Sequence, residues 1–217
     1  MPYTKVEIEP ITAADLLEVA AGNLEAFPTF YAPMEPEDIR PPHDERVKRF
    51  AHRLRTVISS PHVLATKAVL PSGPDAGKLV GITIWHCPGA PIYNMKRAVV
   101  ADTEEDRESW NGVDIDKWED TWKGWDNVRA ELMGDVPHWY LAPIWVIPAY
   151  QGQGIGGQLL QYVIDQCDAE SPPTPIYLEA DKRGQPMYKK RGFVAEGKSE
   201  YVEMVRWNAQ GTTRPEK

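Results

Sequence analysis

The chain has 217 residues, 42% hydrophobic and 26% charged, the balance of a globular protein with a buried core and room for one domain plus an insertion. A net charge of −8 excludes the basic surface that nucleic-acid binding needs, and no apolar run approaches the ~18 residues of a membrane span. The two cysteines, Cys87 and Cys167, lie far apart, so neither a disulfide framework nor a metal site is expected; the first residues show no signal- or transit-peptide pattern, and the expected compartment is the cytoplasm.

Lys5–Glu9 alternates as a first strand. Thr12, with Asp15 three residues on, opens a helix in the manner of a capping box, and Leu16, Leu17, Ala20, Leu24 and Phe27 follow at helical spacing. Prolines 28, 33, 36, 41 and 42 make the next stretch a loop. A second helix is expected from Asp44 to Ser59, with Val47, Phe50, Leu54, Val57 and Ile58 as its apolar stripe. The basic residues of its other face, Arg46, Lys48, Arg49, His52, Arg53 and Arg55, read as a solvated face, with contact to a ligand phosphate or an acidic partner as the alternative. Val63–Leu70 and Leu79–His86 form a hairpin around a Pro/Gly turn.

Residues 90–137 form a helical insertion. Ile115, Trp118, Trp122, Trp125, Val128 and Leu132 fit one helical face, chiefly as packing and secondarily as the lining of an acceptor pocket. Trp139–Ile147 is an apolar strand broken by Pro143. A loop and an amphipathic helix follow, the helix carrying Ile155, Leu159, Leu160, Val163, Ile164 and Cys167. Ile176–Asp181 is a strand, Gln185–Arg191 a short helix stopped by Gly192, and Phe193–Glu196 with Ser199–Trp207 a closing hairpin. Residues 1–210 thus make one domain, followed by a flexible tail at 211–217.

The loop Gln151-Gly-Gln-Gly-Ile-Gly-Gly157 carries the chemistry. Glycines between a strand and a helix let backbone N–H groups turn toward an anion, and the helix directs the positive end of its dipole at the same point. An acidic chain can therefore still hold a pyrophosphate. Gly152, Gly154 and Gly157 also spell the dinucleotide fingerprint, with Glu179 at the end of the next strand. That pattern fits poorly, because Pro148-Ala-Tyr-Gln separates strand from glycine and few strands follow.

The run Leu141–Leu160, with Gln151, Gly154 and Gly156 in a Q/R-x-x-G-x-G/A pattern, resembles the acetyl-CoA signature of the GNAT superfamily of N-acetyltransferases. Ile176–Asp181 and Met187-Tyr-Lys-Lys-Arg-Gly-Phe193 match the elements that follow it, and Trp139–Phe193 is most similar to puromycin N-acetyltransferase-type small-molecule members. The resemblance implies an α/β fold with a mixed, splayed central sheet flanked by helices, the insertion preceding the acetyl-CoA-binding strand. It implies acetyl-CoA as cosubstrate, no metal, and a monomer or homodimer that acetylates a primary amine on a small molecule. A peptide or protein amine, or a weakly catalytic CoA-binding regulatory module, is the alternative.

The resemblance places the cosubstrate against Ile144, Trp145, Val146, Gln151, Gly152, Gln153, Gly154, Ile155, Gly156, Gly157 and Tyr188. It makes Tyr188 the acid for the leaving thiolate. The general base is open between Glu179, His138 and a chain of water. Two positions depart from the family pattern: Tyr140 stands where some members have a catalytic glutamate, and Gly184 where many have an asparagine that bonds the cosubstrate.

Overall fold

The computed structural model describes residues 3–92, 102–197 and 201–207; the predicted tail, part of the insertion and the start of the last hairpin strand lie outside these. Seven strands form one sheet: β1 (Glu7–Pro10), β2 (Val63–Val69), β3 (Leu79–His86), β4 (Trp139–Val146), β5 (Ile176–Ala180), β6 (Val194–Ala195) and β7 (Val202–Arg206), in the order β1-β2-β3-β4-β5-β7-β6. All neighbours are antiparallel except β4 and β5. The helices are α1 (Leu16–Ala26), α2 (His43–Ile58), α3 (Glu104–Ser109), α4 (Ile115–Met133), α5 (Ile155–Ala169) and α6 (Gln185–Lys189). None among the described residues is long and apolar enough to cross a membrane.

Period-two alternation sends the central strands' side chains to two different cores. On one face Trp139, Leu141, Ile176 and Leu178 meet Leu160, Val163 and Ile164 of α5, together with Tyr188 of α6. On the other, Ile82, Ile84 and Trp145 pack under Val19 of α1 and Leu54 and Val57 of α2, while Tyr140 and Tyr177 meet Met133 at the end of α4. A further cluster, away from the sheet, joins α1, α2 and α4 through Leu24, Tyr31, Phe50, Trp118 and Trp122.

The basic face of α2 is solvated only at Lys48 and Arg55; its other basic side chains are engaged within the fold. Glu35, buried in the proline-rich loop, pairs with Arg46 and with Arg53 at 3.0 Å; Arg53 also donates to the Ser109 carbonyl and lies over the Phe50, Trp110 and Trp118 rings. His52 meets Asp106 at 2.7 Å. Arg46, Arg49, His52 and Arg53 fasten the loop and the insertion onto α2. Sequence pattern shows which side of a helix is charged, and only the fold shows what covers it.

Pro143 does not break β4. The β3–β4 register steps from Thr83↔Ile144 to Trp85↔Leu141, so β4 carries one extra residue in a bulge at Ala142–Pro143 and then resumes. On its other side β4 pairs with β5 only at Trp139, Tyr140 and Leu141. Past that point β5 stays with β7 and β4 stays with β3, so the sheet opens into a V.

Candidate active site

The opening of the V sets which backbone groups are available. Ile147 donates to the Val80 carbonyl, toward β3; by the alternation of an antiparallel strand, the main-chain groups of Ile144 and Val146 point the other way, into the gap. Val146 confirms this, since its carbonyl accepts the Gln151 side-chain amide at 2.9 Å. One predicted ligand thus orients another: Gln151 braces the end of β4 where the strand passes into the glycine loop.

The loop begins with a 3-10 turn at Pro148–Tyr150. Gly152 (φ 75°) and Gly154 (φ 81°) take left-handed conformations, and Gly154 is the N-cap of α5. The first turn of a fifteen-residue helix therefore opens onto the mouth of the V. Its glycines leave room for different neighbours. A side chain on Gly156 would push against Met187 and Val146, and one on Gly157 would strike the Arg191 guanidinium at 2.2 Å. A Cβ on Gly154 would meet the Tyr3 ring at 3.0 Å.

Arg191 is the residue that sequence reasoning missed. It precedes the Gly-Phe pair of the short helix, where it reads as one more surface cation. In the fold it is half-buried and crosses the bare backbone of Gly157. It donates to the Met187 carbonyl at 3.2 Å, while its buried Nε has no acceptor among the described residues. Burial holds its pKa below the usual arginine value. A desolvated guanidinium beside a helix N-terminus with an unused donor fits a pyrophosphate.

A cavity of about 1010 Å³ runs from this mouth through the V to the far side of the sheet. Of the predicted cosubstrate residues, Ile144, Trp145, Val146, Gln151, Gly152, Gly154, Ile155, Gly156, Gly157 and Tyr188 line it. Gln153 is a correction. Its side chain accepts from Thr4 Oγ1 at 2.6 Å and its carbonyl accepts from Thr4 N at 3.0 Å, so it ties the N-terminal segment to the back of the loop and does not face the cavity. Trp145 and Ile155 are buried core side chains whose contribution at the cavity is structural. The Trp145 indole fills the space above Gly22, where a Cβ would lie 2.3 Å from the ring.

The two candidate catalytic side chains reach the cavity from opposite faces of the sheet. Tyr188 comes from the α5 side, packed against Phe193 with ring centroids 5.7 Å apart. Burial, reinforced by Asp181, raises its pKa, so the phenol is a proton donor throughout the working range. Gly184 leaves the Tyr188 ring its place, since a Cβ there would sit 3.1 Å from it. Instead of an asparagine contact, this turn is closed by Asp181 Oδ1 accepting from Gly184 N at 2.6 Å.

Glu179 comes from the other face, two residues along β5 from Tyr177. Burial pushes its carboxyl up to about 7, against the opposing pull of the Tyr177 hydroxyl, the Arg129 guanidinium and the Tyr140 hydroxyl. Its Oε1 is shut off from solvent, yet the residue keeps surface on the cavity. Tyr140, which stands where some family members have a glutamate, is packed between the His86 ring at 5.6 Å and the Arg129 guanidinium at 3.8 Å, and it supports Glu179 from the next strand. His138 is not brought to the cavity. It borders a separate small pocket, donates from Nδ1 to the Val136 carbonyl at 2.7 Å, and burial pushes its pKa down to about 4.

The tryptophan stripe packs, as its spacing allowed, and also borders the cavity. Trp118 and Trp122 are each 7% exposed and belong to the helical core, and both also line the cavity, with Trp125 beside them.

Residues 103–193 match the model of the acetyltransferase (GNAT) family. No curated protein matches the chain. Among solved structures, the chain is similar to a histone acetyltransferase HPA2 and related acetyltransferase from Corynebacterium glutamicum, with 20% identity, 93% of this chain and 96% of that one covered, and a TM-score of 0.56. It is also similar to NAA60 from Arabidopsis thaliana in complex with a bisubstrate analogue (15% identity, 93% and 95% covered, TM-score 0.52). A third likeness is to PaiA N-acetyltransferase from Thermoplasma acidophilum in complex with coenzyme A (15%, 93% and 98%, 0.52). At these identities the likenesses concern the fold, and the mixed, splayed sheet flanked by helices is the GNAT fold.

Proposed function

We propose, from the premise that the chain is an acetyltransferase of the GNAT family, that it moves an acetyl group from acetyl-CoA directly to a primary amine of a small molecule. The observation that carries this reading is one continuous cavity, with a glycine-and-arginine anion cradle at one end, exposed strand edge along its middle, and Glu179 and Tyr188 on its opposite walls. Gly152, Gly154 and the first turn of α5, with Arg191, hold the pyrophosphate. Ile144 and Val146 offer main-chain groups to the pantetheine amides and the thioester carbonyl.

Glu179 takes a proton from the acceptor ammonium, freeing the nitrogen lone pair to attack the carbonyl carbon. A main-chain N–H of β4 steadies the negative charge on the carbonyl oxygen. As the C–N bond forms and the C–S bond breaks, the electron pair goes to sulfur, which receives the Tyr188 proton. The second proton of the nitrogen restores the phenol through water, and Glu179 returns its own to solvent, so one proton leaves per turnover. A buried carboxyl titrating near neutrality and a phenol that stays protonated suit these two tasks.

One of the similar structures carries a protein-directed name, a histone acetyltransferase. Here the acceptor end is walled by α1, α2, α4 and the loop after α1, which favours a small molecule; the compartment proposed is the cytoplasm. Release of free thiol from acetyl-CoA across small amines and peptides tests the reading. Turnover with small amines is expected, and turnover with peptides alone would replace it.

A further inference from the structure

The acceptor end of the cavity has a composition of its own. Phe30, from the loop after α1, contacts Trp122, Trp125 and Tyr201 with ring centroids 5.8, 5.5 and 6.2 Å apart; Trp122 and Trp125 are 5.3 Å apart, and Trp125 and Tyr201 5.4 Å. Spacings this short mean that the four rings pack into a continuous wall and do not form a cage around an empty centre. All four line the cavity, and Phe27 and Tyr31 continue the wall toward α1.

Charge is distributed just as unevenly. Asp181, Arg183, Lys190 and Arg191 line the cavity from the turn after β5 and from α6 and its end, on the cosubstrate side. On the aromatic side the ionisable lining side chains among those described are Glu179, the one carboxylate, and His86, with no lysine or arginine. Arg53, which lies over the Trp118 ring, and Arg129, which lies over the Tyr140 ring, do not line the cavity and are engaged elsewhere: Arg53 with Glu35, Arg129 with Asp126.

We infer that the acceptor is a monoamine carrying one flat, uncharged aromatic body, with its nitrogen at Glu179 and its ring against the wall of Phe30, Trp122, Trp125 and Tyr201. This rests on the acetyl-transfer reading above. One carboxylate accommodates one ammonium. The second ammonium of a polyamine, or the carboxylate of a free amino acid, enters an aromatic chamber whose described lining offers no second carboxylate and no lysine or arginine, and burying an unpaired charge is strongly unfavourable. A flat ring gains offset or edge contacts with the wall that a flexible alkyl chain does not, worth about three- to tenfold.

The test uses the CoA-loaded protein for binding by calorimetry and acetyl-CoA for turnover, with five amines: 2-phenylethylamine, n-hexylamine, spermidine, phenylalanine and phenylalaninamide. Phenylethylamine is expected to bind and react best, about three- to tenfold ahead of hexylamine. Phenylalaninamide should exceed phenylalanine by on the order of a hundredfold, because only the latter brings a carboxylate. Trp125→Leu, checked for an unchanged melting profile, should raise the phenylethylamine KM more than that of hexylamine and so close the gap between the two. Spermidine or phenylalanine turning over as well as phenylethylamine would overturn the inference and leave the acetyltransferase reading standing. So would an aromatic amine that neither binds nor reacts while hexylamine does. Binding of phenylethylamine with no thiol release from any amine would support the chamber's specificity and defeat the catalytic reading instead.

Discussion

The two ends of the cavity are built from different materials. The cosubstrate end is made mostly of peptide groups: the free edge of β4, the left-handed glycines and the first turn of α5, all supplied by one continuous stretch from Leu141 to Gly157. The acceptor end is made of side chains drawn from α1 and its loop, from α2, from α4 and from Tyr201. Peptide groups are the same whatever the residue, so the first end needs only the right backbone path, whereas the second depends on which rings meet. Between them, Glu179 and Tyr188 stand where the two materials join.

The contrast is broken most directly at that junction. Tyr188→Phe keeps the ring against Phe193 and removes the hydroxyl. We expect kcat to fall by about 10²–10⁴-fold with acetyl-CoA affinity little changed, measured under conditions where chemistry limits the rate. Full kcat in this variant would assign proton delivery to water.

Glu179→Gln is expected to lower kcat/KM by about a hundredfold and to abolish the rise of the wild-type rate with pH, which should level off above about 7 as the carboxyl ionises. Stability carries a second signature. The native carboxyl keeps its proton up to about 7, while the unfolded one loses it near its ordinary value. Between those two pH values the native state binds more protons, so the wild type loses stability as pH rises through the window. Glu179→Gln should therefore melt higher than wild type at pH 8 and alike at pH 4; a variant equally or less stable at pH 8 would contradict the buried, raised carboxyl.

At the cosubstrate end the comparison is sharpened by Arg191→Ala. Loss of one charge-assisted contact at a desolvated site should weaken acetyl-CoA binding by about ten- to a hundredfold in calorimetry and leave the acceptor KM alone. If affinity is unchanged, the backbone cradle suffices and the guanidinium is a packing element. The smallest effect is expected from Gln153→Ala, which removes the Thr4 hydroxyl contact behind the loop. A loss of about 0.5–1.5 kcal/mol in denaturant unfolding, with near-normal acetyl-CoA affinity, would separate bracing the loop from lining it.

What could be read before the fold was known follows the same division. The glycine loop, the amphipathic α5 and the Tyr188–Phe193 element are local patterns, and each lies where its spacing places it. β4 survives Pro143 because the bulge takes up the residue that cannot donate, just past the point where pairing with β5 ends, and no local rule announces that partner's absence. The destination of the α2 cations was invisible for a related reason, since Glu35 and the α3 carbonyl that receive them are remote in sequence. Arg191 and the Phe30 wall belong to the same class. Glu179 was legible as a candidate through its strand, but its neutral-pH titration comes from burial, which outweighs the opposing pull of Tyr177, Arg129 and Tyr140.

The V in the sheet has a further consequence. An unpaired strand edge ordinarily invites another strand, and proteins guard such edges against self-association. Here the exposed length runs only from Ala142 to Val146, opens inward between helices, and contains a bulge and a proline with no N–H to give. A regular polypeptide ladder cannot be continued along it. A slim chain with widely spaced amides can, so the same irregularity that would admit the proposed pantetheine arm also guards this edge against pairing with another chain.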